Sequence, residues 1–202
     1  MKVNKNWIGK LLLELITIFV GVYLAFELNR YQEDKRADKI KYNYFTSFKS
    51  EISKLGAEIG AEQNKIDKII RELNEGLEKG ERPALKPVNL YLDAAMLITR
   101  AGFNDDVFMQ LNPGLASSLS GGYDFVKTVS KKIESFNSIC NDNLISTNKI
   151  NFYTANGTIK PEFDWYLEGL EELTMYLNTL STIINKRALP LIIELLEEMG
   201  GN

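Results

Sequence analysis

The feature that most constrains this chain is an apolar run near its N-terminus. Residues 15–26 carry no charge and lie inside a longer apolar stretch, residues 7–28. As a helix with a rise of 1.5 Å per residue, that stretch measures roughly 33 Å, and the hydrocarbon core of a bilayer is about 30 Å thick. Trp7 and Tyr31 fall at the two interfacial levels, where aromatic side chains are enriched. The sequence therefore predicts one transmembrane helix, with residues 1–30 as N-terminal flank and membrane segment.

Two other interpretations of this run are less favoured. A cleaved signal peptide needs a site of small residues after the apolar run, and Tyr23-Leu24-Ala25-Phe26 does not provide one. A buried helix of a soluble protein is the other alternative, because the uninterrupted run is only about a dozen residues long.

One face of the predicted membrane helix combines small residues with ionisable ones. At about 100° per residue, six positions share this face: Lys10, Glu14, Thr17 at its edge, Gly21, Ala25 and Leu28. Gly21 and Ala25 lie four residues apart, a spacing that lets two helix backbones approach closely. Glu14 has three possible roles: an ion pair with Lys10 of the same helix, a contact with a partner helix, or an ion or proton path. The six residues are the candidate membrane-helix interface.

The same region resembles the N-terminal signature of a family of uncharacterised single-pass membrane proteins from Bacteroidota. The signature has a Glu, a Gly seven residues later, and then Ala, Gln, Asn, an aromatic residue and Glu. The matching positions are Glu14, Gly21, Ala25, Glu27, Asn29, Tyr31 and Glu33. Glu27 replaces the usual Gln, and Tyr31 replaces the usual Trp. The resemblance covers about 20 residues and implies a protein of the bacterial inner membrane, with no catalytic residues to transfer.

The orientation of the predicted span is left open. The flank after it carries more Lys and Arg than the flank before it, which favours a cytoplasmic C-terminal part. Members of the family that the chain resembles have a more basic N-terminal flank, which implies the opposite side.

Residues 31–80 are predicted to form a long juxtamembrane helix or stalk. Apolar residues follow alternating steps of three and four, and Glu62 interrupts the pattern once. The positions are Phe45, Phe48, Ile52, Leu55, Ile59, Ile66, Ile69 and Leu73. Such a heptad seam belongs either to a parallel coiled-coil oligomer or to one face of a bundle within the chain, and we favour the bundle.

Residues 81–202 are predicted to complete an all-α helical bundle with residues 31–80. After a proline-containing loop, Asn89 is expected to cap a short helix that ends at Ala101, and Asp105 or Asp106 to open another turn. Gly121-Gly122 is expected to separate a small apolar segment from a helix that starts at Tyr123. Asn156-Gly157 predicts a turn. The following helix is expected to begin near Pro161, to bury Trp165 and to end or kink at Pro190.

The composition argues against catalysis and nucleic-acid binding. The chain has 202 residues, no histidine, one cysteine (Cys140) and a net charge of −3. The absence of histidine removes the commonest general base and metal ligand, so we expect no catalytic residues, no metal and no cofactor. No broad basic surface indicates nucleic acid. Cys140 lies on an apolar stripe and is expected to be a small core residue.

The function that these patterns favour is that of a membrane-anchored helical interaction or scaffold protein, not an enzyme. Its expected partners are the lipid bilayer and either further copies of itself or another membrane protein. Two alternatives are open: a subunit of an ion-conducting or ion-driven membrane assembly that uses Glu14, and a membrane-tethered ligand sensor with a pocket among its helices.

Overall fold

In the computed structural model, the backbone is described for residues 5–104, 113–144 and 152–200, and the side chains for residues 17–100, 117, 119–144 and 152–200. The predicted turn at Asp105 or Asp106 lies outside these ranges. The chain divides into two compact units, Met1–Asn43 and Tyr44–Asn202. Within the described residues the structure is all-α, as predicted, and has one isolated β-bridge, between Tyr153 and Ile159.

Five α-helices follow one another along the chain. They are α1 (Lys5–Glu78), α2 (Leu97–Asn104), α3 (Pro113–Leu144), α4 (Asp164–Ile183) and α5 (Leu189–Gly200). A 3₁₀ turn, Pro161–Phe163, precedes α4, and a π-helical turn, Ile184–Ala188, joins α4 to α5. Residues 81–96, between α1 and α2, have no helix, and we call them the strap.

The second unit is a bundle of three long helical segments and the strap. Gln63 of α1 hydrogen-bonds Asn178 of α4, and Lys132 of α3 pairs with Glu172 of α4 at 2.6 Å. The strap contacts both α1, where Glu58 accepts a bond from the Asp93 amide, and α3. The strap therefore takes the place that a fourth helix has in an ordinary four-helix bundle.

The heptad seam of α1 lies in the core of this unit. Phe45, Phe48 and Ile59 are almost fully buried, whereas Ile69 is only partly buried. Glu62 does not leave the seam, because it is 5 % exposed and its Oε1 accepts a bond from Lys65 at 2.6 Å. The pairing with a flexible lysine lets a carboxylate occupy a position that the pattern reserves for an apolar residue.

Two predicted helix boundaries are wrong. The region expected to be helical from Asn89 is extended up to Met96, because Val88, Leu90 and Leu92 are buried in alternation and so follow the period of a strand. The expected break at Gly121-Gly122 is also absent, since α3 is continuous from Pro113 to Leu144. Two glycines cost about 1 kcal/mol each in a helix, which the packing of one long amphipathic helix outweighs.

Other predictions hold in part. Asn156-Gly157 forms a turn, with Gly157 at φ +85° and its amide bonded to the Thr154 carbonyl. Pro161 is the first residue of the 3₁₀ turn before α4. Trp165 is only partly buried and stacks edge-on against Phe136. The helix that was expected to end or kink at Pro190 passes into the π turn at Ile184. Pro190 lies in the first turn of α5, where its missing amide is tolerated.

The contact between α3 and α4 predicts the effect of a methyl group at Gly169. A Cβ there would lie 2.5 Å from Cε2 of Phe136, so Gly169→Ala forces the aromatic ring to move. We expect Gly169→Ala to lower the free energy of unfolding by about 1–2 kcal/mol, after allowance for the better helix propensity of alanine. Chemical denaturation followed by circular dichroism measures the change.

The matched control is Gly121→Ala in α3. A Cβ at Gly121 meets no atom within 4 Å, so this variant should leave the stability unchanged or raise it by up to about 1 kcal/mol. Equal effects of the two substitutions would contradict the close contact between α3 and α4.

Candidate functional site

The predicted membrane-helix interface lies on α1, and four of its six residues have described side chains. The side chains of Lys10 and Glu14 lie outside the described ones. Thr17, Gly21, Ala25 and Leu28 are exposed, and a Cβ at Gly21 would meet no atom within 4 Å. Among the described residues, this face of α1 is therefore open to the approach of a second helix.

The exposure of apolar side chains extends around the whole of this part of α1. Every residue from 17 to 40 is exposed, including large apolar side chains such as Phe19 (67 % exposed) and Phe26 (73 %). Other exposed members of the group are Ile18, Val20, Val22, Tyr23, Leu24 and Leu28. Monomeric soluble proteins rarely expose contiguous apolar surfaces of this kind, so the surface is the main candidate for an interaction.

A search of the described residues finds no helix that has both the length and the apolar character to span a membrane. Residues 7–16 of the predicted span lie outside the described side chains.

The strap is held mainly by side chains that bond its backbone. On the α1 side, the Glu51 carboxylate accepts bonds from the amides of Ile98 and Thr99, at 2.9 and 3.1 Å, and from the Thr99 hydroxyl at 2.8 Å. These amides belong to the first turn of α2, where a carboxylate satisfies unpaired donors and complements the helix dipole. Glu51 therefore holds the start of α2, directly after the strap, against α1.

On the α3 side, Asn137 pairs with Leu90 as a neighbouring strand would. Its amide nitrogen donates to the Leu90 carbonyl at 2.7 Å, and its amide oxygen accepts from the Leu90 amide at 3.2 Å. About two helical turns before Asn137, the Ser130 hydroxyl donates to the Leu92 carbonyl at 3.3 Å. Buried backbone groups need such partners, and side chains supply them here because no second strand is present among the described residues.

Two tyrosines bond the first half of the strap. Tyr166 of α4 donates to the Lys86 carbonyl at 2.9 Å, and Tyr153 donates to the Pro83 carbonyl at 2.6 Å. Burial raises the pKa of Tyr166 to about 12 and also raises the pKa of Tyr153. Both phenols therefore stay protonated, and able to donate, throughout the physiological pH range.

Burial is the largest cause of the pKa shifts of the described titratable groups inside the bundle. Burial raises the pKa of the Cys140 thiol, which keeps it protonated and unreactive, as expected of a core cysteine. Burial, with a smaller effect of the Glu51 charge, raises the pKa of the Tyr44 phenol. Oε2 of Glu62 is buried and has no hydrogen-bond partner among the described residues. Those residues also contain no group of three or more acidic, cysteine or histidine side chains arranged to hold a metal ion.

The comparisons with known proteins give no further assignment. No family model, no curated protein and no solved structure matches this chain.

Sequence reasoning missed the residues that hold the strap. Glu51 and Asn137 occupy polar positions of amphipathic helices, where they look like ordinary surface residues, and Tyr166 follows the more prominent Trp165. The one available signal is the alternation Val88, Leu90, Leu92, which has the period of an extended segment.

The raised pKa of Tyr166 predicts a specific dependence of stability on pH. A phenol with a folded-state pKa of about 12, against 10.0 for the ordinary group, stabilises the fold fully below pH 10 and loses that effect as the pH rises to 12. Tyr166→Phe should cost about 1–2 kcal/mol at pH 7, because the Lys86 carbonyl loses its donor. Above pH 10 the difference between wild type and variant should shrink.

Urea denaturation at pH 7 and at pH 11 measures this difference. Tyr91→Phe is the matched control, since Tyr91 lies on the strap but is 64 % exposed, and its loss should change the stability little at either pH. A constant difference between wild type and Tyr166→Phe from pH 7 to pH 11 would contradict the assigned role of the buried phenol.

Proposed function

We propose that this protein is a membrane-anchored helical interaction or scaffold protein, which inserts its N-terminal helix into a bilayer and assembles through it. The observation that carries the proposal is the exposure of the apolar side chains of α1 between residues 17 and 28. In water, each large apolar side chain that stays exposed lacks the roughly 1.5–3 kcal/mol of stabilisation that its burial would contribute. A bilayer or a partner that covers this surface recovers that free energy.

The distribution of residues around α1 supports a bilayer together with a partner helix. Phe19 precedes Gly21 by two residues and therefore lies about 160° away from it around the helix. Bulky side chains suit contact with lipid chains, and the small residues Gly21 and Ala25 suit the close approach of another helix. The partner helix is supplied by a second copy of this chain or by another membrane protein, and the proposed location is the bacterial inner membrane.

The bundle, in this proposal, is the part that presents a fixed surface at the membrane. The apolar seam of α1 from Phe45 to Leu73 packs into the core of the same unit, so the seam is not available for a coiled coil with another copy. Assembly is therefore assigned to the N-terminal part of α1. No enzymatic step is proposed.

Membrane insertion predicts a specific pattern of extraction. Full-length protein expressed in bacteria should remain with the membrane fraction after washing at alkaline pH. Charged residues at a helix centre cost roughly 2.5–3.5 kcal/mol each in translocon-mediated insertion, so the double variant Phe19→Lys, Val22→Lys should be released into the supernatant. The control with the same added charge is Tyr42→Lys, Thr46→Lys, at exposed positions beyond the apolar run. Release of the wild-type protein would contradict the anchor.

Assembly through the Gly21 face predicts the mass of the solubilised protein. Light scattering with correction for bound detergent should give a defined oligomer for the wild type, if the partner is a second copy. Gly21→Leu should dissociate that oligomer, because a large side chain separates the helix backbones. Phe19→Leu, on the opposite face, should leave its mass unchanged.

The two other outcomes of this experiment also test the proposed interface. A monomeric wild type excludes self-assembly and assigns the face to a different membrane protein, which crosslinking from position 21 in intact membranes then detects. A wild-type oligomer that survives Gly21→Leu contradicts the proposed interface.

A further inference from the structure

The bundle contains a small cavity between α1, α3, α4 and the π turn. Its volume is about 50 Å³. Phe48 and Ile52 of α1 form one wall, Val126 of α3 another, and Leu180 of α4 a third. The described residues of its lining include no charged side chain, and none of them belongs to the predicted membrane interface.

Two departures from regular backbone structure meet at this cavity, beside a glycine of α3. Met96, at the end of the strap, has φ +39° although it is not glycine. Ile184 and Ala188 belong to the π-helical turn, and Gly122, which has no side chain, belongs to the regular helix α3. All four residues line the cavity. Strained φ values and π turns concentrate at ligand sites, because they re-aim side chains around a space that regular packing would close.

The polar groups at the cavity are already engaged. The Thr99 hydroxyl is 1 % exposed and donates its hydrogen to Glu51 at 2.8 Å. Its lone pairs can still accept a hydrogen bond, but the described part of the lining offers no charged group to neutralise an ionic ligand. An ion placed here would lose its hydration without compensation.

We propose that this cavity binds a small, uncharged, largely apolar ligand. A water molecule needs roughly 10–15 Å³ of such space, so the cavity has room for about three to five non-hydrogen atoms. A short alkyl group, with or without one hydroxyl that donates to Thr99, has the matching size and chemistry. The site lies wholly within the second unit and does not depend on the proposed membrane function.

The experiment uses full-length protein in digitonin, a steroidal detergent without a simple alkyl chain, with ¹³C-labelled methionine methyl groups. Met96 lines the cavity and reports on it, while Met175, which is 59 % exposed, reports on nonspecific effects. The probes are 1-butanol and butyrate, which have equal chain lengths and differ in charge. The expected result is a saturable shift of the Met96 signal with 1-butanol, no shift with butyrate, and no saturable shift of Met175.

Two glycine variants locate the binding. Gly122 lines the cavity and Gly121 does not, and a Cβ at either position meets no atom within 4 Å. Gly122→Leu should weaken the binding of 1-butanol at least tenfold, whereas Gly121→Leu should leave the affinity within about twofold of wild type. If Gly122→Leu does not fold, Gly122→Ala replaces it, with an expected loss of about threefold.

Three results would overturn the proposal. They are the absence of a saturable Met96 shift in the wild type, equal binding of butyrate and 1-butanol, and equal affinity of the Gly121 and Gly122 variants.

Discussion

The bundle depends on how an extended segment is accommodated among helices. A helix satisfies its own backbone, but the strap brings amide and carbonyl groups to a core that has no neighbouring strand among the described residues. Glu58, Ser130, Asn137 and Tyr166 supply the missing partners from three helices. Each of these bonds also fixes the distance between the strap and one helix. The hydrogen bonds that remove the cost of a buried backbone therefore also determine how α1, α3 and α4 are arranged.

Sequence patterns predict the elements whose backbone hydrogen bonds are formed locally. They fail for elements whose hydrogen-bond partners lie far away in the sequence. The helical class, the seam from Phe45 to Leu73 and the turn at Gly157 follow from local periodicity and local backbone preference. The strap does not, because the groups that hold it lie between 35 and 80 residues away in sequence. The continuity of α3 through Gly121-Gly122 was missed for a related reason: packing along a whole helix decides it, and a local helix propensity does not.

For the candidate interface, too, one feature is predicted by the sequence and another is shown only by the structure. The apolar run of α1 is evident from composition alone, and the structure adds that its described side chains are exposed. Within one helix, Phe26 is 73 % exposed and Phe45 is fully buried, although both are large aromatic residues on helical turns. Since secondary structure is equal at the two positions, the contrast comes from what surrounds each residue. Phe45 has intrachain neighbours, whereas Phe26 is uncovered among the described residues, which is the physical basis for proposing an interaction of the N-terminal part of α1.

Met96 shows how the strap and the cavity are connected. The chain has to change there from extended to helical conformation, so that the first amides of α2 reach the Glu51 carboxylate. Glycine would adopt φ +39° without strain, but the side chain of Met96 is 6 % exposed and lines the cavity. A flexible, unbranched thioether fits an irregular space better than a branched side chain does. Replacing it with glycine would relieve backbone strain of about 1–3 kcal/mol and forfeit burial of comparable size. With methionine at this position, the packing of the side chain offsets the strain of the backbone. The strained conformation is retained because Glu51 holds the residues that follow.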